Sequence, residues 1–336
     1  MKAICITQPF ETEIRDIPMP VPEAGEALLR ILYCGICGAD VASFTGNQPF
    51  TTYPRIPGHE FSAQIVSVPE NDRGLKPGDL VTCNPYFNCG TCYACRKGRV
   101  NACMDNQTMG VQRDGAFCEY IRMPLERIIP GGGLNSRQLA LIEPFAISRG
   151  DIRPGDRVLV VGAGPIGLFA LLAAKAKGAE VTVCDLLQGR LDKALHFGAD
   201  HVVCSGAADE SEQLAAITGE NGFDVCVEAC GQSITFLKCI EQACHGASVI
   251  LIGNGKKETT FLHSILLKKE LNVYGSRNAY TADFEALISL VSSGAVPVTD
   301  MISAEYDYTE AAAAFDALSH NNGSLEKVLL RFSDPA

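Results

Sequence analysis

The feature that most constrains the fold is a glycine turn set between a strand and a helix. Arg157-Val158-Leu159-Val160-Val161 is a β-branched run ending in Gly162-Ala163-Gly164-Pro165-Ile166-Gly167, and Leu168 to Lys177 is rich in Ala and Leu. Strand, turn and helix in that order aim backbone amides at a helix N-terminus, where a pyrophosphate can rest. A second strand, Glu180 to Cys184, ends at Asp185, close to the ~20 residues past the turn at which a carboxylate accepts from both ribose hydroxyls. Asp185 would repel a 2'-phosphate, so NAD is favoured over NADP, although Arg190 softens that preference. The alternation then runs on through helices Gly189–Phe197, Glu210–Thr218 and Ile234–Cys244, and strands His201–Cys204, Asp224–Glu228, Ser248–Gly253 and Leu271–Gly275. It predicts a doubly wound parallel sheet covered on both faces. Gly162, Gly164, Pro165, Ile166, Gly167, Asp185 and Arg190 are the candidate cofactor contacts, with Gly253 and Ser276 at or just beyond the last two strand ends. A fold of this kind holding some other ligand is the alternative.

The 336 residues exceed what that unit needs, and at ~150 residues per domain they suggest two domains. A net charge of −11 gives no field that attracts nucleic-acid phosphate or anionic lipid. Apolar runs stop short of the ~20 residues that span a bilayer. The opening Met1-Lys2-Ala3-Ile4-Cys5-Ile6 reads as a strand with no apolar leader after it, so the cytoplasm is the expected location.

Fifteen cysteines in such a chain should be mostly thiols. Those such as Cys5, Cys118, Cys184, Cys204 and Cys226 sit apart in apolar or strand-like contexts and read as small buried hydrophobes. Cys89, Cys92, Cys95 and Cys103 fall in one short stretch, NCGTCYACRKGRVNAC. Two-residue gaps let successive thiolates point inward from a tight turn, and four of them close a tetrahedron around Zn2+ with no open position, which is a structural site. An iron–sulfur ligand set has similar spacing. A second constellation is mixed: Cys37 follows the strand-like run Ala27 to Tyr33, and His59-Glu60 lies between a Pro- and Gly-rich loop and another such run. A Cys, a His and a carboxylate at strand ends can make a catalytic zinc site with an open position.

These pieces in this order resemble the zinc-dependent medium-chain dehydrogenases, the superfamily of alcohol, sorbitol and threonine dehydrogenases. GICGAD around Cys37, PGHE ending at Glu60, the four-Cys lobe, LIEP at 141–144, KPGDLV at 76–81 and PGD at 154–156 carry the resemblance, which spans nearly the whole chain. It implies a GroES-like β-barrel catalytic domain at 1–147 with a structural zinc lobe at about 84–106. A Rossmann NAD-binding domain at 148–275 would follow, and then a return to the catalytic domain at 276–336. It implies that Cys37 and His59 hold the catalytic zinc, with Glu60 bound directly or through water and Glu143 contributing a carboxylate nearby. Asp40 would orient His59 through its second ring nitrogen.

Two carboxylates make a harder site than a two-thiolate shell and suit a substrate with adjacent hydroxyls. TMGVQRDGAF at 108–117 and GSRN at 275–278 look closest to the hexonate dehydrogenases, which oxidise L-gulonate or L-galactonate at C5, and Arg277 would then clamp the carboxylate. The resemblance implies that zinc acidifies the substrate hydroxyl and that hydride passes to NAD. The Ser or Thr and the His that many relatives use to carry the proton away are here Ala39 and Ala42, leaving Ser43, Glu60 or a water for that role. The segment Phe145 to Ser148 is about one helical turn shorter than the joining helix of the family, an altered hinge or a deletion. Sorbitol, butanediol and L-threonine dehydrogenases are alternatives on the same fold, and an NAD-binding scaffold without catalysis is an alternative of another class. A homodimer or homotetramer is expected from the family.

Overall fold

A computed structural model describes residues 1–148 and 150–334. Arg149, which closes the short segment noted above, lies outside them. Contacts divide the chain into two compact units, Met1–Ala146 with Asn278–Ala336, and Ile147–Arg277.

The first unit opens with a hairpin of β1 (Lys2–Gln8) and β2 (Glu11–Asp16), followed by β3 (Glu26–Gly35), α1 (Gly38–Phe44), β4 (Glu60–Ser67) and β5 (Leu80–Cys83). Next come β6 (Tyr86–Phe87), α2 (Tyr93–Arg96), β7 (Gln107–Thr108), β8 (Tyr120–Pro124), β9 (Ile128–Pro130), α3 (Ser136–Ala140) and α4 (Ile142–Ala146). The second unit comprises β10 (Arg157–Val161), α5 (Pro165–Ala176), β11 (Glu180–Asp185), α6 (Gln188–His196), β12 (His201–Cys204), α7 (Glu210–Thr218) and β13 (Phe223–Glu228). It continues with α8 (Ser233–Gln242), β14 (Ala243–Leu251), α9 (Ser264–Lys269) and β15 (Asn272–Gly275). The chain then returns to the first unit with α10 (Thr281–Ser292), β16 (Ile302–Asp307), α11 (Ala311–Ser319) and β17 (Lys327–Arg331).

In the second unit six parallel strands lie in the order β12-β11-β10-β13-β14-β15. This is the doubly wound sheet expected from the alternation. The reversal beside β10 puts the ends of β10 and β13 at the switch point where such sheets bind ligands. Two elements depart from the sequence reading. Cys244 belongs to β14 rather than to the preceding helix, and α9 was not foreseen, because SILLKK is too short for helical periodicity to separate from an apolar loop.

In the first unit β16-β17-β3-β4-β5-β9 form a sheet with β8 also paired to β3, the GroES-like barrel. Its core is a cluster that includes Ile4, Leu29, Ile31, Phe61, Phe117, Phe315 and Leu330. β3 lies between β4 and β17, so residues at the end of β3, the start of β4 and the start of β17 are brought together from distant parts of the chain. Among the described residues no helix is long and apolar enough to cross a membrane.

Candidate metal centres and cofactor site

Cys37 caps the N-terminus of α1 directly after β3, and its amide donates to Asp40 Oδ2 at 2.9 Å. Asp40 Oδ1 accepts from the Gly58 amide at 3.2 Å, so one fully buried carboxylate ties the cysteine turn to the loop that delivers His59. Glu60 opens β4, and a Cβ on Gly35 opposite it would collide with its carboxylate, which is why glycine stands there.

The thiol of Cys37, a ring nitrogen of His59 and a carboxylate oxygen of Glu60 all lie within 4.8 Å of one another. Ligands of a tetrahedral zinc stand about 3.5 Å apart, so a small closure brings all three to bonding distance. His59 Nδ1 is buried without a hydrogen bond and lies 3.8 Å from Asp40 Oδ1. Burial pushes the Cys37 thiol up, and Glu60 adds to it against the opposing pull of His59. Burial opposes protonation of His59, yet Asp40, Cys37 and Glu143 outweigh it and hold its pKa well above the ordinary value. Three buried carboxylates and a thiol converge here. Such a donor set fits a divalent cation, whose charge offsets the repulsion and stabilises the thiolate.

Two residues of this centre were not singled out in the sequence. Lys327, at the start of β17, is buried and pairs with Glu60 Oε2. Burial works against its charge, and Glu60, Cys37 and Glu143 more than compensate, raising its pKa. Tyr86, in β6, donates its hydroxyl to Glu143 Oε1. Burial, reinforced by Glu60, pushes the Glu143 carboxyl up to about 7 against the pull of His59, Tyr86 and Lys327. Glu143 is outside the set of three whose ligand atoms lie within 4.8 Å of one another.

Ser43, one candidate for the proton relay, lies on α1. Its hydroxyl donates to Ala39 O at 3.1 Å and shares a hydrogen bond with Thr51 Oγ1 at 2.7 Å, and none of its described hydrogen bonds reaches Cys37, His59 or Glu60.

The four sulfurs of Cys89, Cys92, Cys95 and Cys103 also lie within 4.8 Å of one another, with Cys92 Sγ 3.5 Å from Cys95 Sγ and 3.9 Å from Cys103 Sγ. Zinc–sulfur bonds of ~2.3 Å put tetrahedral sulfurs about 3.8 Å apart, so the spacing suits a single ion. The Cys92 amide donates to Cys89 Sγ at 3.3 Å, and this bond with those of Thr91 pulls the Cys89 thiol down to about 6. Cys92 is lowered as well, while burial and the neighbouring thiols push Cys95 up to about 11, so the four do not ionise alike without a metal.

In the second unit Gly162 has φ 104°, and Gly164 caps α5 with Pro165 at its first turn and Ile166 following. A Cβ on Gly167 would collide with Gly162 O, while the space over Gly164 is open. Such a cradle fits a pyrophosphate. Asp185, at the end of β11, accepts from the Ala163 and Leu187 amides at 2.8 and 3.0 Å, and Arg190 Nη1 stands 3.6 Å from it. Gly253 follows β14 where a Cβ would collide with Gly231. Ser276 follows β15 and donates to Ile147 O at 2.8 Å, and Arg277 is exposed at the end of this unit.

This fold and these centres define a zinc-dependent medium-chain dehydrogenase, and the chain belongs to that family. The Alcohol dehydrogenase GroES-like domain matches residues 23–132 and the Zinc-binding dehydrogenase domain residues 165–293. The chain is 36% identical to an L-galactonate-5-dehydrogenase of Escherichia coli over 337 residues, covering 99% of each. It is 32% identical to a sorbitol dehydrogenase of Halalkalibacterium halodurans, covering 98% of this chain and 99% of that one. A solved alcohol dehydrogenase of Escherichia coli complexed with NADH superposes with a TM-score of 0.90 at 29% identity, covering 99% of each. The chain is an oxidoreductase of the polyol and alcohol dehydrogenase class.

Proposed function

We propose that the enzyme oxidises a secondary alcohol of a hexonate, L-galactonate or L-gulonate at C5, with NAD as the acceptor. The observation that carries this reading is the convergence of Cys37, His59 and Glu60 beside buried Glu143, a centre with one thiol and an excess of carboxylate. Hard oxygen ligands favour a substrate that presents adjacent hydroxyls, and the similarity to an L-galactonate-5-dehydrogenase supports the same class. Bound to these residues, zinc supplies Lewis-acid polarisation of the hydroxyl, and NAD supplies the hydride acceptor.

The chain's own residues do the rest. Cys37 and His59 would hold the metal, and Lys327 pairs with one oxygen of Glu60. Glu143, buried and hydrogen-bonded by Tyr86, is suited to accept from a neighbouring hydroxyl and to take the released proton on its carboxylate. Ala39 and Ala42 offer no proton acceptor, Ser43 bonds elsewhere and Glu60 is already paired with Lys327, which leaves Glu143 for that role. Asp185 selects NAD by repelling a 2'-phosphate. A homodimer or homotetramer completes the reading. β15 is an edge strand of the six-stranded sheet with Val273 and Tyr274 exposed, a surface fit for a second copy.

The test is a turnover panel with NAD and NADP against L-galactonate, L-gulonate, sorbitol, 2,3-butanediol and L-threonine. The reading expects the highest kcat/KM for a hexonate with NAD. A clear preference for threonine or butanediol overturns the substrate, and equal use of NADP overturns the role of Asp185.

A further inference from the structure

Three loops follow β10, β13 and β14 at the end of the parallel sheet, and the middle one is pinned by a buried carboxylate. Glu228, the last residue of β13, is 2% exposed. Its Oε1 accepts from the Cys230 and Gly231 amides, both at 2.9 Å, and from the Thr235 hydroxyl at 2.6 Å. Its Oε2 also accepts from the Gly231 amide, at 3.1 Å. The backbone carbonyl of the same residue accepts from the Ile252 and Gly253 amides at 2.9 and 3.0 Å. From this loop Cys230 donates its thiol to Val161 O at 3.4 Å, and a Cβ on Gly162 would collide with that sulfur. A Cβ on Gly253 would collide with both the Gly231 amide and the Glu228 carboxylate. The glycine turn and the loop after β14 are therefore packed, without side-chain slack, against a segment whose path is fixed by Glu228.

We infer that Glu228 is a positioning residue for the dinucleotide: by holding residues 229–231 it sets the approach of the Gly162 turn and of Gly253 to the bound cofactor. The inference rests on the reading that the dinucleotide lies over Gly162 to Gly167. A carboxylate meets this need and an amide does not. Every donor it faces is an N–H or O–H, and the –NH2 of glutamine would oppose the Gly231 amide, donor against donor. The carboxylate stands one strand over from the turn and acts through backbone, so its loss is felt in cofactor binding and not at the metal centre of the other unit.

The experiment is a fluorescence titration with NADH of zinc-loaded wild-type protein, Glu228→Gln and Thr235→Val. Steady-state KM values for dinucleotide and alcohol, zinc content and circular dichroism complete it. Losing charge-assisted hydrogen bonds predicts a Kd for NADH about tenfold higher in Glu228→Gln and about threefold higher in Thr235→Val. The KM for dinucleotide rises in parallel while that for the alcohol stays within about twofold. A folded Glu228→Gln that binds NADH as the wild type does, or one whose two KM values rise equally, overturns the inference. If Glu228→Gln does not fold, Thr235→Val decides, and an unchanged Kd there overturns it. A wild-type protein that fails to bind NADH overturns the functional reading first, so the two failures are distinguishable.

Discussion

The ammonium of Lys327 is paired with the carboxylate of Glu60 at a point where both side chains are almost wholly excluded from water, 4% and 1% exposed. The two residues lie 267 positions apart in the chain and meet because β17 and β4 both pair with β3. A buried pair contributes little net stability compared with apolar packing, but breaking one partner strands the other. Measured on metal-free protein, Lys327→Met is therefore expected to lose about 3–5 kcal/mol of stability, read as a marked fall in Tm, because it leaves Glu60 buried without its cation. The double variant Lys327→Met with Glu60→Gln should recover much of that loss, and a single variant as stable as wild type would show that the pair is relaxed in solution.

The lobe makes a separate prediction. Cys103 is fully buried, and its sulfur accepts from the Cys89 amide at 3.2 Å. Cys103→Ser replaces a soft thiolate with a hydroxyl, and a closed structural site does not tolerate that. One zinc per chain should be lost by metal analysis, together with several degrees of Tm, while the zinc held by Cys37 and His59 stays.

On the proposed reading, cofactor choice is carried by Asp185. Asp185→Ser removes the charge that repels a 2'-phosphate and leaves Arg190 without its 3.6 Å partner. The ratio of kcat/KM for NAD over NADP should fall at least about tenfold, a change of ~1.4 kcal/mol. An unchanged ratio would remove Asp185 from the specificity account.

A pH effect on stability is expected from the second unit. Glu210 pairs with Lys238 and accepts from the Gly206 amide at 3.0 Å. Although burial raises its pKa, the Gly206 amide, Lys238 and Ser205 outweigh it and hold the carboxyl below its ordinary 4.5. A depressed carboxyl binds fewer protons folded than unfolded, so its contribution is present above 4.5 and is lost as the pH falls through the lowered folded value. Thermal unfolding of Glu210→Gln across that acid window should show a shallower loss than wild type, and parallel curves would contradict the assignment.

Much of this molecule could be read from its residues. The run from Arg157 to Asp185 dictates strand, turn and helix locally, and the four cysteines of the lobe close their site within one short stretch, so neither needed long-range information. Cys37, His59 and Glu60 were recognisable because local motifs mark them. Lys327 carried no such mark: in KVLLR it is one polar residue at a strand start, and its burial arises only when β17 joins β3. Tyr86 was hidden likewise, since its partner Glu143 lies 57 residues on. For Ser43, proximity in sequence to Cys37 does not settle direction: one helical turn later its hydroxyl donates back to Ala39 O.

The most direct test of the whole account is metal content measured alongside turnover in His59→Ala. Two zinc ions per chain are predicted in the wild type. The variant should keep only the one in the four-cysteine lobe, lose hexonate oxidation by several orders of magnitude, and still bind NADH. A His59→Ala protein that retained both ions and oxidised its substrate at the wild-type rate would contradict the account.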